Sequence, residues 1–269
     1  MLFRNRVLPF SLGILACGAA QAQVSFATHG EHAQFRNLSG LTGGGYGVDR
    51  DGHVTLKGAF SFSTPVSYSL RNGEVSLSLA NMSFDNNFRF FEKEKRKDFG
   101  FESNGTGSIN VGLETSLGNI TLGMVVVSGS FENAYSFLWT PKQGDSKVTL
   151  GFGAQGLFSA GGFVGPGLAS NSADRSTSVF GVATWKLDDR THVSAGIGTS
   201  RFRKGFGNIS YGFTDGIKGF AEYDGFDWNV GAGFNLGSMK LNKDRTAKFT
   251  GTLALVARKY AAWSINISF

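Results

Sequence analysis

The 269-residue chain holds 39 glycines but only 4 prolines, with 13% aromatic residues, 17% charged residues and a net charge of +6. So many aromatics with so little charge exclude a disordered chain, and glycine without a three-residue period excludes collagen. No apolar run of about 18 residues follows the N-terminus, which excludes a helical membrane protein and leaves an all-β chain.

Arg4 and Arg6 precede an apolar stretch from Val7 to Ala16, and Ala20-Gln21-Ala22 puts small residues where a signal peptidase reads them. The pattern predicts a secretory leader over 1–22. That leader contains Cys17, the chain's one cysteine, so the mature chain would have neither disulfides nor a thiolate metal site. Residues 23–52, with Gly43-Gly44-Gly45, read as an entry segment that could plug a lumen, and 53–269 as the barrel.

Period-2 alternation then recurs to the last residue. Val54, Leu56, Phe60 and Phe62 open it, followed by a short segment from Val66 to Leu70. Arg71-Asn72-Gly73, a strong hairpin signal, leads into Val75, Leu77 and Leu79. Further segments centre on Ile109–Leu113, Ile120–Val126, Tyr135–Trp139, Val148–Ala154, Val179–Trp185 and Val193–Ile197. The last five centre on Ile209–Phe213, Ile217–Tyr223, Phe226–Phe234, Phe249–Leu255 and Trp263–Phe269. Fourteen segments result, most of them close to the length of a tilted membrane-crossing strand.

The face opposite the apolar one is mostly Ser, Thr, Asn and Gly, where a soluble sandwich would be charged. The expected fold is therefore a transmembrane antiparallel up-and-down β-barrel of 14 strands, with 12 as the alternative. Counting back from Phe269 puts the long connections 85–105 and 159–175, together with 202–205, on one side. The tight turns 71–73, 188–190 and 214–216 fall on the other, where 236–246 is an unexpectedly long exception. Phe84, Trp139, Trp185, Tyr211, Phe213, Tyr223, Trp228 and Tyr260 sit near segment ends, as interfacial girdles would.

The last ten residues, YAAWSINISF, place Trp263, Ile265, Ile267 and Phe269 at alternate positions. They resemble the C-terminal signal of Gram-negative outer-membrane proteins. The resemblance implies a bacterial outer-membrane location and recognition by the barrel-assembly machinery. FTDGIKGFAEYDGFDWNVGAGF, from Phe213 to Phe234, is similar to a pattern of YjbH-like outer-membrane proteins linked to exopolysaccharide operons. GLTGGGYGVDRDGHVTL, from Gly40 to Leu56, carries a weaker likeness to that family but lacks its Pro-containing continuation. The likeness implies polysaccharide-export components as partners.

Alternation assigns Lys57, Glu114, Gln155, His192, Lys218, Glu222, Asp227 and Asn229 to the lumen. Their mixed signs argue against a strongly ion-selective ring. Gly151 to Gly156 matches G-x-G-x-x-G but lies inside a strand and opens no helix, so it reads as close backbone approach. His192 and Ser194 share one strand face, the arrangement of a base and a nucleophile, yet polar lumen lining accounts for them. His29, His32 and His53 could hold a metal only if convergent, and Asp188-Asp189-Arg190 is sufficiently explained as a turn. The mixed-charge run Glu92–Asp98 could meet lipopolysaccharide phosphates. No catalytic group, metal, cofactor or nucleic-acid partner is expected. The expected function is a pore for small hydrophilic solutes or an accessory to polysaccharide export. A non-conducting structural or adhesive barrel is the alternative, and a lipid A-modifying enzyme comes third.

Overall fold

The computed structural model describes residues 41–82, 106–127, 132–144, 146–160, 177–243, 245–258 and 260–269. The leader, His29, His32, Phe84 and the run Glu92–Asp98 lie outside the described residues.

Twelve strands close into an antiparallel barrel, each paired with its neighbours in the chain. They are β3 (Val75–Met82), β4 (Thr106–Thr115), β5 (Gly118–Val127), β6 (Glu132–Pro141), β7 (Val148–Ala160) and β8 (Ser178–Lys186). The other half consists of β9 (Thr191–Gly198), β10 (Phe206–Thr214), β11 (Ile217–Tyr223), β12 (Trp228–Lys240), β13 (Thr246–Val256) and β14 (Tyr260–Ser268). The ring is sealed between β14 and β3, where Ile265 faces Leu79 and Ile267 faces Leu77. Mutual backbone bonds between Val75 and Phe269, 2.9 and 3.0 Å, fasten the end of that seam.

The alternation reads directly as two faces. Leu79, Ile197 and Leu253 stand outward with 64%, 66% and 60% of their surface exposed. Ser78, Ser194 and Thr252 on the same three strands point inward and are buried. The turn connections 116–117, 187–190 and 215–216 share one rim with the chain end, and 199–205 lies at the other; the expected long connections 85–105 and 159–175 fall largely outside the described residues. The expected long connection 236–246 is itself mostly strand, since β12 runs to Lys240 across a bulge between Asn235 and Gly237. The turn Asp188-Asp189-Arg190 is held by Asp188, whose Oδ1 accepts from the Arg190 and Thr191 backbone N–H groups at 2.7 and 2.8 Å. Those bonds hold the Asp188 carboxyl below its ordinary pKa.

The ring has twelve strands rather than fourteen because the first two alternating segments are not in the wall. Residues 41–74 fill the lumen instead, and the wall begins at Val75 rather than near residue 53. A first crossing, 41–48, runs toward the turn rim. A second, 53–63, returns, and a third, 66–70, runs back to the turn rim and into β3. The first two crossings are tied by β1 (Gly47–Val48) and β2 (Ala59–Phe60), whose register pairs Gly47 with Phe60 and Val48 with Ala59. Tyr46, Val48, Val54, Ala59, Val66, Tyr68 and Leu70 form a cluster inside the plug itself. Phe60 and Phe62 pack on Phe220 of the wall, with ring centroids 5.4 and 6.2 Å apart.

Glycine makes these approaches possible. A Cβ on Gly58 would fall on the Val48 carbonyl, so no other residue lets the two crossings meet there. Gly151 admits the Ser67 backbone and Gly153 admits the Phe180 ring, which accounts for the G-x-G-x-x-G match inside β7. Overpacking of this kind costs about 1–3 kcal/mol. Gly58→Ala should therefore open 41–64 to limited proteolysis while the far-ultraviolet β signal of the ring persists.

Candidate functional site

The place where chemistry is concentrated is the contact between plug and wall. The plug crosses the lumen as single strands with few ladder partners, so its backbone N–H groups need other acceptors. Inward side chains of the wall supply them. Ser67 N donates to Thr184 Oγ1 and Ser69 N to Thr140 Oγ1, both at 2.9 Å. Leu70 N donates to Thr121 Oγ1 at 2.7 Å, and Phe60 N to Ser210 Oγ at 3.2 Å.

The strongest anchor is Glu222 on β11, which is fully buried. Its Oε2 accepts from Phe62 N at 2.9 Å and from Thr64 Oγ1 at 3.1 Å. Its Oε1 accepts from Ser63 N at 2.9 Å, Ser63 Oγ at 2.6 Å and Asn229 Nδ2 at 2.9 Å. A carboxylate offers about four lone-pair positions, and bonds to an ionised acceptor are roughly twice as strong as neutral ones. Around this latch, Arg201 Nη2 donates to Ser63 O at 3.1 Å while its Nη1 donates to Gln155 Oε1 at 3.1 Å. Asn208 Nδ2 donates to Thr64 Oγ1 at 2.9 Å, and Asn229 Nδ2 also reaches Asp224 Oδ2 at 3.0 Å. The turn 61–64 is thus gripped by groups from β10, β11, β12 and the 199–205 connection, with Gln155 of β7 bracing Arg201.

Of the residues that alternation assigns to the lumen, Gln155, Glu222 and Asn229 meet at this latch. His192 and Lys218 form a second group near the turn rim, with Lys218 Nζ 3.3 Å from His192 Nδ1 and donating to Arg190 O at 3.3 Å. Asp227 is half-buried beside the Asp224 turn, where its carbonyl accepts from Asp224 N at 3.2 Å. Glu114 is exposed at the end of β4. Lys57 belongs to the plug rather than the wall and pairs at the rim with Asp215, 3.2 Å away. Ser194 Oγ lies 2.9 Å from Thr184 Oγ1, and its bond to Thr184 leaves it apart from the His192–Lys218 group. His53 lies near Glu74, and no cluster of metal ligands occurs among the described residues. In β14, Trp263 and Ile265 face outward, while Ser264, Asn266 and Ser268 face the lumen.

Sequence reasoning missed Arg201, which lies just before the expected connection 202–205. It also missed Ser63 and Thr64, which fall between the first two alternating segments. The inward threonines Thr121 and Thr184 were signalled by alternation alone, and nothing in the sequence paired them with plug amides.

No family model and no curated protein matches the chain. Among solved structures, the KdgM porin is similar at 13% identity over 73% of this chain and 98% of that one, with a TM-score of 0.45. An outer-membrane channel from Pseudomonas putida F1 is similar at 9% identity over 74% of this chain and 96% of that one, with a TM-score of 0.34. A mutant Rhodopseudomonas blastica porin is similar at 11% identity over 74% and 98% respectively, with a TM-score of 0.32.

Glu222→Gln keeps the shape of the latch but removes the charge and turns one acceptor into a donor. A buried donor left without a partner costs about 1–3 kcal/mol. Hydrogen exchange at the Phe62 and Ser63 amides should accelerate about ten- to a hundredfold, with amides of β4 and β5 unaffected.

Proposed function

We propose that this chain is a bacterial outer-membrane barrel that works as a gated pore for small hydrophilic solutes, its N-terminal segment serving as the gate. The observation that carries the reading is a closed twelve-stranded ring with an apolar outer side and a polar lumen occupied by an insert that forms no ladder with the wall. Closure leaves no strand edge to meet lipid, which suits a sheet immersed in a bilayer. Its lumen falls between eight-stranded rings, filled by their own side chains, and sixteen-stranded porins with open channels.

The character of the plug supports gating over permanent closure. Residues 41–64 are held to the wall mainly by side-chain bonds gathered at Glu222, with no ladder to any wall strand. Such a unit can leave without breaking the ring. The C-terminal strand would be read by the barrel-assembly machinery, and the outer rim would meet lipopolysaccharide. An accessory role in polysaccharide export fits the same architecture.

The dense internal packing of the plug favours a second reading, a non-conducting structural or adhesive barrel. Planar-bilayer recordings of the full chain separate the two. The gated pore predicts rare openings in the wild type and at least a tenfold higher open fraction in Glu222→Ala. Silence in both proteins, with heat-modifiable migration showing folded barrels, would leave the structural reading in place.

A further inference from the structure

The plug is not held evenly around the lumen. Its anchors come from β5, β6, β8, β10, β11, β12 and, through Thr252 and Lys248, β13. The opposite sector, where β14, β3 and β4 meet, is different in kind. Cross-strand register sets Ser268, Ser76 and Asn110 in one inward row, and Asn266, Ser78 and Ser108 in the next. All six are at least nine-tenths buried. Both side-chain atoms of Asn110, the Ser108 and Ser268 hydroxyls and Asn266 Oδ1 have no hydrogen-bond partner. Ser264, one row further on, is likewise unpartnered.

Buried polar atoms are nearly always satisfied, so a concentration of unsatisfied ones on one wall points to a polar occupant. The two rows themselves are uncharged: β3 and β14 contain no Asp, Glu, Lys or Arg, and the one charged residue of β4, Glu114, is exposed at its end, while Glu74, just before β3, accepts from Val54 N of the plug. Glu222, Arg201, Asp224, Lys218 and His192 all belong to the other side. Serine hydroxyls and carboxamides both donate and accept, which matches a ligand whose own groups do the same. The first plug crossing lies over this wall, where Gly45 approaches Ser264 so closely that a Cβ would sit 2.7 Å from its Oγ. Thr252 Oγ1 on β13 donates to Gly45 O of that crossing at 2.9 Å. Tyr46, fully buried, places an aromatic ring in the same crossing.

From this we infer that the Ser/Asn lane of β14, β3 and β4 is the solute-binding wall of the pore, and that it selects uncharged polyhydroxylated solutes, such as neutral saccharides, over ions. The inference rests on the pore reading above. When 41–64 withdraws, the lane is the polar surface it uncovers, and sugar hydroxyls satisfy the groups that the plug leaves unpaired. A charged solute would have to shed hydration on two rows of Ser and Asn that hold no counter-charge.

The test is swelling of proteoliposomes carrying the full chain, in maltose or in sodium glucuronate. Maltose should enter several-fold faster. Asn110→Leu should slow maltose about tenfold, the worth of about one hydrogen bond, with heat-modifiable migration unchanged. Asn110→Asp, nearly isosteric, should shift the reversal potential toward cation selectivity. Equal entry of both sugars would overturn the lane while leaving the pore reading intact. So would conduction indifferent to both Asn110 variants. Failure of every solute and ion to cross, in Glu222→Ala as well, would overturn the pore reading and the lane with it.

Discussion

One kind of bond holds this molecule in its observed state: an oxygen on a wall side chain accepting a backbone N–H from the plug. A chain that threads a lumen without joining the sheet brings its peptide donors into a water-poor space, and each one unsatisfied is costly. Thr121, Thr140, Thr184, Ser210 and Glu222, on five different wall strands, answer amides in two stretches of that chain, 60–63 and 67–70. The wall therefore specifies where the plug runs, and the apolar packing of Phe60 and Phe62 on Phe220 follows from that placement.

Ring size sets the conditions for such an arrangement. An eight-stranded ring would be filled by its own side chains, leaving no room for a second layer of chain. Twelve strands leave space that three crossings occupy, provided that small residues stand where backbones meet. Gly58 against Val48 and Gly151 against Ser67 are the positions where that requirement is sharpest. The consequence for function is an asymmetric lumen. Charged and charge-assisted anchors gather on β10, β11 and β12, while the Ser/Asn rows of β14, β3 and β4 are neutral and polar.

The wall was largely legible in the sequence, and the plug was not. The last twelve of the fourteen alternating segments each became a wall strand, because one apolar face and one Ser/Thr/Asn face is what a ring around a polar lumen requires. Val54–Phe62 and Val66–Leu70 share the period but not the placement. Alternation reports the extended geometry of a chain and is silent about what pairs with its backbone. In the plug both faces are buried, as with Phe60 and its neighbours Ala59 and Ser61, so the apolar face no longer marks an outside. Glu222, Asn229 and Gln155 could be placed inward by parity. That they gather around Ser63 and Thr64 depends on contacts between residues 138 to 166 positions apart, with Gln155 joining through Arg201, which no local pattern encodes. Arg201 was invisible for a related reason, since a loop residue has no periodicity to reveal that it folds inward.

The central claim is that residues 41–64 form a unit that closes the lumen and must leave for solute to pass. Tethering that unit to the wall tests it most directly. Thr64 and Asn208 are in side-chain contact at 2.9 Å, so Thr64→Cys with Asn208→Cys places two thiols across the plug–wall boundary. The account predicts that the pair crosslinks in the folded barrel, that oxidation abolishes channel openings, and that reduction restores them. Openings that persist unchanged with the crosslink fully formed would contradict it.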